Sequence, residues 1–234
     1  LPTGMGKSAI AFMLDAQRLH HYPHSKILML APTKPLCEQH VNTFQRHMEI
    51  NSEKIVLFTG EISPEKRGNL WKEAQIIIST PQGLENDVIN RRVKLEEVSL
   101  LVFDEAHHAT GDYSYVWLAQ QYEKTASYPR ILALTASPGS DLESIKEICT
   151  NLNIERVEVR TELDPDMKPY IQPIQFEWIT VNFPDEFQKI QKLLRDCKKS
   201  KLLEAQHHGY GRDSMSKGEL LQLQVELHSK ISSG

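Results

Sequence analysis

The chain has no excess of positive charge. Its 27 lysines and arginines stand against 31 aspartates and glutamates, a formal net charge of −4. Bulk electrostatics therefore cannot be how it holds a polyanion, and any grip on nucleic acid has to come from a local patch. Cysteine is scarce too. Cys37, Cys149 and Cys197 are scattered, odd in number and form no CxxC pair. That excludes a disulfide framework and reads as reduced thiols in a reducing, cytoplasm-like compartment. No apolar run approaches membrane-spanning length and no signal peptide is visible, so no membrane partner is expected. Repeats and low-complexity stretches are missing. His20, His21 and His24, like His207 and His208, sit close together but follow no zinc spacing and have no cysteine or acidic partner nearby in sequence.

What is present is enough for a core. At 40% hydrophobic and 25% charged, the 234 residues can form one large domain, or one domain and part of another. KILML (26–30), KIVLFT (54–59), QIIIST (75–80), SLLVFD (99–104) and RILALT (130–135) are apolar nearly throughout, as parallel strands covered on both faces are. Helical patterns alternate with them: Ser8 to His21, Lys34 to Met48, Pro64 to Ala74, Gln82 to Asn90, Tyr113 to Ala126 and Asp141 to Leu152. This alternation predicts an α/β fold, a doubly wound parallel sheet.

After about Thr161 the character changes. TELDPDMKPYIQP reads as a crossing linker, and FEWITVNF alternates like a strand without a parent sheet. From Asp185 a helix carries Phe187, Ile190, Leu194 and Cys197 on one face, with Lys189, Lys192, Arg195, Lys198 and Lys199 elsewhere on it. Past the break HHGYGRDS, Ser216 and Glu219 have capping-box spacing ahead of Leu220, Leu223, Leu227 and Ile231. The expected organisation is an α/β domain over 1–165, a linker with a crossing strand over 166–184, and a partial basic helical domain over 185–234.

The chemistry begins at the first residue. LPTGMGKS places Gly4, Met5 and Gly6 where backbone N–H groups converge on phosphate, directly before a helix N-terminus. Lys7 is placed to reach the β- and γ-phosphates, and Ser8 offers a hydroxyl to Mg²⁺. The full pattern asks for glycine six residues before the lysine, and that position is Leu1. A glycine turn before an ordinary helix has the same letters, so a second motif has to decide. LLVFDEAHH supplies it, with Asp104 and Glu105 at the carboxyl end of a buried strand, the end that carries the site in α/β sheets. Asp104 suits a magnesium ion, largely through its waters, while Glu105 suits polarising the attacking water. APTKPL (31–36), FTGE (58–61), STPQ (79–82) and LTASPG (134–139) bring hydroxyls, small residues and Lys34 to the same edge. Together they form a shelf that can hold a sugar-phosphate backbone without reading its sequence.

PTGMGKS, APTKPL, STPQ, DEAH and LTASPG, in this order, resemble motifs I, Ia, Ib, II and III of superfamily 2 helicases and translocases. LAPTKPLCEQH, TPQGLENDV and VFDEAHHATGDYSYV extend the likeness to the archaeal Hef and Fanconi-anaemia M group. The resemblance is strong over about residues 1–165. It implies an ATP- and Mg²⁺-dependent DNA motor on forked or branched DNA in replication-fork repair and recombination, with two RecA-like domains around a helical insertion. Thr3, Gly4, Gly6, Lys7 and Ser8 would cradle the nucleotide, with Asp104 and Glu105 serving metal and water. Thr135 and Ser137 would couple nucleotide state to DNA through His107. Thr33, Lys34, Gly60, Thr80 and Gln82 would touch the DNA backbone, and Lys189 and Lys192 would reach duplex DNA. The compartment would be cytoplasmic in an archaeal-like source and nuclear in a eukaryotic one.

Measured against that pattern, the strand before motif I and the second RecA-like domain with its arginine are missing. Such arginines contribute roughly 10³–10⁵ in rate, so the chain is expected to be a fragment with weak ATP binding and little hydrolysis. Two other readings stay open: a duplex-RNA motor of the RIG-I and Dicer kind, and a non-catalytic nucleic-acid-binding module.

Overall fold

The computed structural model describes residues 1–2, 4–137, 139, 141–171, 177–212 and 214–232. It divides into two compact units, Leu1–Gln172 and Pro173–Gly234.

In the first unit, five parallel strands alternate with helices. They are β1 (Lys26–Leu30), β2 (Ile55–Phe58), β3 (Ile76–Ser79), β4 (Val98–Phe103) and β5 (Ile131–Ala133), in the order β2-β3-β1-β4-β5. The helices are α1 (Lys7–His21), α2 (Lys34–His47), α3 (Pro64–Glu73), α4 (Pro81–Ile89), α5 (Ser114–Thr125) and α6 (Leu142–Asn151). Each strand predicted from apolar runs is present, and most end a residue or two early, where a polar group starts the next turn. Ser63 and Asp141 cap α3 and α6 by accepting from the amides of Lys66 and Ser144, and Pro64 and Pro81 stand at the first helical positions of α3 and α4.

Side-chain alternation sorts the sheet into two layers. Ile27, Met29, Ile76, Ile78, Leu100 and Val102 face α1 and α2, burying Ala11, Leu19, Cys37 and Phe44. Leu28, Leu30, Ile77, Leu101 and Phe103 face the other way, against Trp71, Leu84, Tyr115, Leu118, Tyr122 and Ile148. Both faces are dry, which explains the unbroken apolar runs of the central strands. At roughly 1.5–3 kcal/mol per large buried side chain, this two-sided core is the main source of stability.

The register fixes where function can sit. Leu30 aligns with Ser79 and with Phe103, Ser79 with Phe58, and Phe103 with Ala133. All five strands thus end at one level, and the segments after them emerge along a single carboxyl edge.

The second unit contains α7 (Asp185–His207) and α8 (Lys217–Ser232). The capping box at α8 forms: the Ser216 amide donates to Glu219 Oε2 at 2.7 Å and the Glu219 amide to Ser216 Oγ at 3.3 Å. Leu202 and Met215 are its buried apolar residues, whereas Phe187, Ile190 and Leu194 on α7 are exposed. Among the described residues the expected crossing strand is not seen. Residues 177–184 have no ladder partner, and Trp178, Ile179, Val181 and Phe183 are exposed. Alternation makes a strand only where a neighbouring backbone completes its hydrogen bonds.

Candidate nucleotide and nucleic-acid site

Helix α1 brings the glycine loop to the same edge of the sheet as the acidic tetrad. Near its end, Arg18 Nε donates to the carbonyl of Ser99 at 3.0 Å, pinning the last turn beside the start of β4. From Arg18 back to Lys7 the helix rises ~16 Å, and from Ser99 to Asp104 the strand advances about the same distance. With Ala11, Asp15 and Leu19 buried along one stripe, α1 runs antiparallel to β4, which brings its N-terminus to the carboxyl edge.

The loop has the backbone that a phosphate cradle requires. Gly4 and Gly6 are left-handed, at φ 78° and 84°, and nothing lies within 4 Å of where a Cβ would stand on either. Any other residue would be strained at these angles. Lys7 Nζ donates to the carbonyls of Leu1 and Pro2 at 3.3 and 3.2 Å, so the ammonium is folded over the loop. Met5 and Ser8 are half-buried beside it. Thr3 lies outside the described residues, as does Pro138 of the LTASPG segment.

Asp104 is held on three sides. Its amide donates to the carbonyl of Leu30 at 2.8 Å, its carbonyl accepts from Tyr115 Oη at 2.8 Å, and its carboxylate Oδ2 lies 2.7 Å from His40 Nε2. Only 8% of the residue is exposed. Glu105 follows in the left-handed region, at φ 48° and ψ 51°, a conformation that costs a residue with a Cβ about 1 kcal/mol or more. It persists because both neighbours are tied to the sheet, Asp104 as above and Ala106 by donating to the carbonyl of Leu134 at 2.9 Å. The turn parts the two acids, leaving Asp104 buried and Glu105 half-exposed. His107 Nδ1 is 3.1 Å from Thr135 Oγ1 and 3.3 Å from Glu105 Oε2, and the Ser137 amide donates to Thr135 Oγ1 at 3.1 Å. The acidic tetrad and the end of β5 are therefore in direct contact.

The remaining shelf residues line the same edge. Thr33, Gly60 and Gln82 are exposed and Thr80 is half-buried, with Thr33 and Thr80 at the N-caps of α2 and α4. Lys34 is not a free cation: its Nζ bonds Glu61 Oε1 at 2.5 Å and stands 3.5 Å from Glu38. The Glu61 hydrogen bond holds its ammonium above the ordinary lysine range. Lys189 and Lys192 are exposed on α7, in the second unit.

The DEAD/DEAH box helicase family matches residues 1–145. The chain belongs to that family. Among similar proteins is one from Methanocaldococcus jannaschii whose name describes an ATP-dependent RNA helicase. It is 43% identical over 231 residues, which make up 98% of this chain and 29% of the relative. The ATP-dependent DNA helicase mph1 of Neurospora crassa is 37% identical over 92% of this chain and 19% of its own length. Among solved structures, the helicase domain of Pyrococcus furiosus Hef superposes with a TM-score of 0.73 at 44% identity, covering 100% of this chain and 50% of that one. The chain thus spans half or less of each of these proteins. The likeness to Hef read from the motifs is borne out, as is the RecA-like parallel sheet.

In this DEAD/DEAH box helicase domain, several polar residues at the edge escape a reading by motif. His40 is one. Another is Arg67, whose Nε and Nη2 donate to Asp87 Oδ2 and Oδ1 at 2.5 and 2.9 Å. Its Nη1 donates to the carbonyls of Thr59, at 3.2 Å, and Ile62. One guanidinium thereby ties the turn that contains Gly60 to the helix that follows Thr80. Their sequence signal is a charged or polar residue on an inward stripe: His40 between Cys37 and Phe44, Arg67 before Trp71, Asp87 after Leu84. The family uses ATP. Among the described residues, no helix is long and apolar enough to cross a membrane.

Proposed function

We propose that this chain is the nucleotide-binding half of an ATP-dependent DNA helicase or translocase working on forked or branched DNA. The observation that carries the reading is the meeting of three parts at one carboxyl edge. They are a glycine loop opening a helix, a buried aspartate followed by a half-exposed glutamate, and the His107–Thr135 contact.

The residues fit ATP and magnesium. Gly4 and Gly6 leave open space at the N-terminus of α1, where backbone amides favour a phosphate. Ser8 and Asp104 supply the hard oxygen donors that Mg²⁺ takes, directly or through water. ATP when bound supplies a γ-phosphoryl bond whose hydrolysis drives the motor. Lys7 exchanges the Leu1 and Pro2 carbonyls for phosphate oxygens, Glu105 accepts a proton from the attacking water, and His107 passes the state of that site to Thr135 and Ser137 at the next strand end. Thr33, Lys34, Gly60, Thr80 and Gln82 hold the nucleic-acid backbone. Residues 1–165 form the motor domain, 166–184 the linker, and 185–234 part of a helical insertion whose Lys189 and Lys192 approach duplex DNA. The rest of the polypeptide supplies the second RecA-like domain, and the motor works in the compartment that holds the genome.

DNA is favoured because the Neurospora crassa relative is named a DNA helicase. The Methanocaldococcus jannaschii relative, named for RNA, supports a second reading in which the track is duplex RNA. Binding of a fluorescent ATP analogue to this chain tests the site. Binding should be strengthened by Mg²⁺ and lost in Lys7→Ala, and equal binding by the variant would refute the assignment. ATP turnover by the whole polypeptide, measured with forked DNA and with duplex RNA, decides the track.

A further inference from the structure

His40 ends the stretch LAPTKPLCEQH but lies outside its APTKPL motif, and no role has been given to it above. It lies on the inward stripe of α2 between Cys37 and Phe44, where the helix otherwise buries apolar groups against β2 and β3. Burying an imidazole there costs stability unless it has a partner. Its partner is the Asp104 carboxylate, 2.7 Å away, with 9% of the histidine side chain and 12% of the aspartate side chain exposed. A carboxylate only accepts, so the imidazole donates from Nε2, and the proton's place on the ring is set by the acid. Among the described residues, His40 is the one side chain within hydrogen-bond distance of that carboxylate. The other two bonds to Asp104 hold its main chain and leave the side-chain rotation free.

We propose that His40 is a positioning residue for the magnesium carboxylate. It fixes Asp104 through Oδ2 and leaves Oδ1, which has no hydrogen-bond partner among the described residues, as the oxygen that can serve the metal's water shell. Groups that orient a metal carboxylate from behind commonly contribute 10–100-fold to metal affinity. The inference rests on the reading of Asp104 given under the proposed function.

The test uses this chain, a fluorescent ATP analogue and a magnesium chloride titration, with thermal unfolding recorded for each variant. His40→Ala should raise the Mg²⁺ concentration for half-maximal binding about tenfold or more, and leave the weak magnesium-free binding unchanged. His40→Gln, whose amide nitrogen can stand where Nε2 stands, should keep the parent's magnesium dependence. His40→Asn, a methylene shorter, should not. An alanine variant with the parent's magnesium dependence would overturn the proposal, as would a glutamine variant no better than asparagine. Should His40→Ala fail to fold, the glutamine and asparagine pair still decides. If the parent chain itself shows no magnesium-dependent binding, it is the nucleotide-site reading that fails. Parent binding that is insensitive to His40 sinks only this inference.

Discussion

Replacing Asp15 by asparagine should flatten the pH dependence of folding. Asp15 lies on α1 between Ala11 and Leu19, is 0% exposed, and neither carboxylate oxygen has a hydrogen-bond partner among the described residues. Burial alone lifts its carboxyl from 3.8 to about 8. The sign follows from proton counting. Between those two values the unfolded chain has released this proton and the native chain keeps it, so stability falls as pH rises. The contribution is intact below about pH 4 and is lost by about pH 8. The slope is about 1.4 kcal/mol per pH unit, or roughly 3 kcal/mol between pH 5 and pH 7. That is a large part of the 5–15 kcal/mol typical of a whole domain. A carboxamide at this position would keep the shape and lose the titration. Urea unfolding of parent and Asp15→Asn at pH 5, 6, 7 and 8 measures it: the variant's advantage should grow with each step while m stays constant. Parallel curves for the two proteins would refute the reasoning and mean that water or a cation reaches the carboxylate.

Asp87→Asn leaves Arg67 buried without its counter-charge and should cost about 3–5 kcal/mol in denaturant unfolding, far more than Arg92→Ala, whose guanidinium stands 3.5 Å from the same carboxylate and is partly exposed. Glu61→Gln removes the carboxylate that competes for Lys34, so the chain should bind forked DNA more tightly at low salt, with the difference vanishing at high salt, by fluorescence anisotropy. No change at low salt would mean that Lys34 does not face the phosphates.

The sheet was legible because burying both faces demands unbroken apolar strands, and the candidate site could be picked out because phosphate chemistry accepts few residue types at few spacings. The rest was hidden for physical reasons. His40 and Asp104 are 64 residues apart and meet only once α2 has docked on the sheet. Arg67 and Asp87 look like surface charges until their helices show which side faces inward. Lys34 reads as a free cation, because nothing in the local sequence says that Glu61 turns toward it. FEWITVNF misled in the opposite direction, since its alternating pattern implies a strand and its described residues have no sheet to join.

Arg67 has one further effect. Its five-pronged donor group clasps a carboxylate on one helix and two carbonyls of a distant turn, all nearly without water. Two stretches of rim that seem independent along the chain therefore share a single foundation and shift together or not at all. Under the proposed function, a ribbon of phosphates laid across both would meet a stiff ledge rather than separate fingers, and damage to one stretch would be felt at the other.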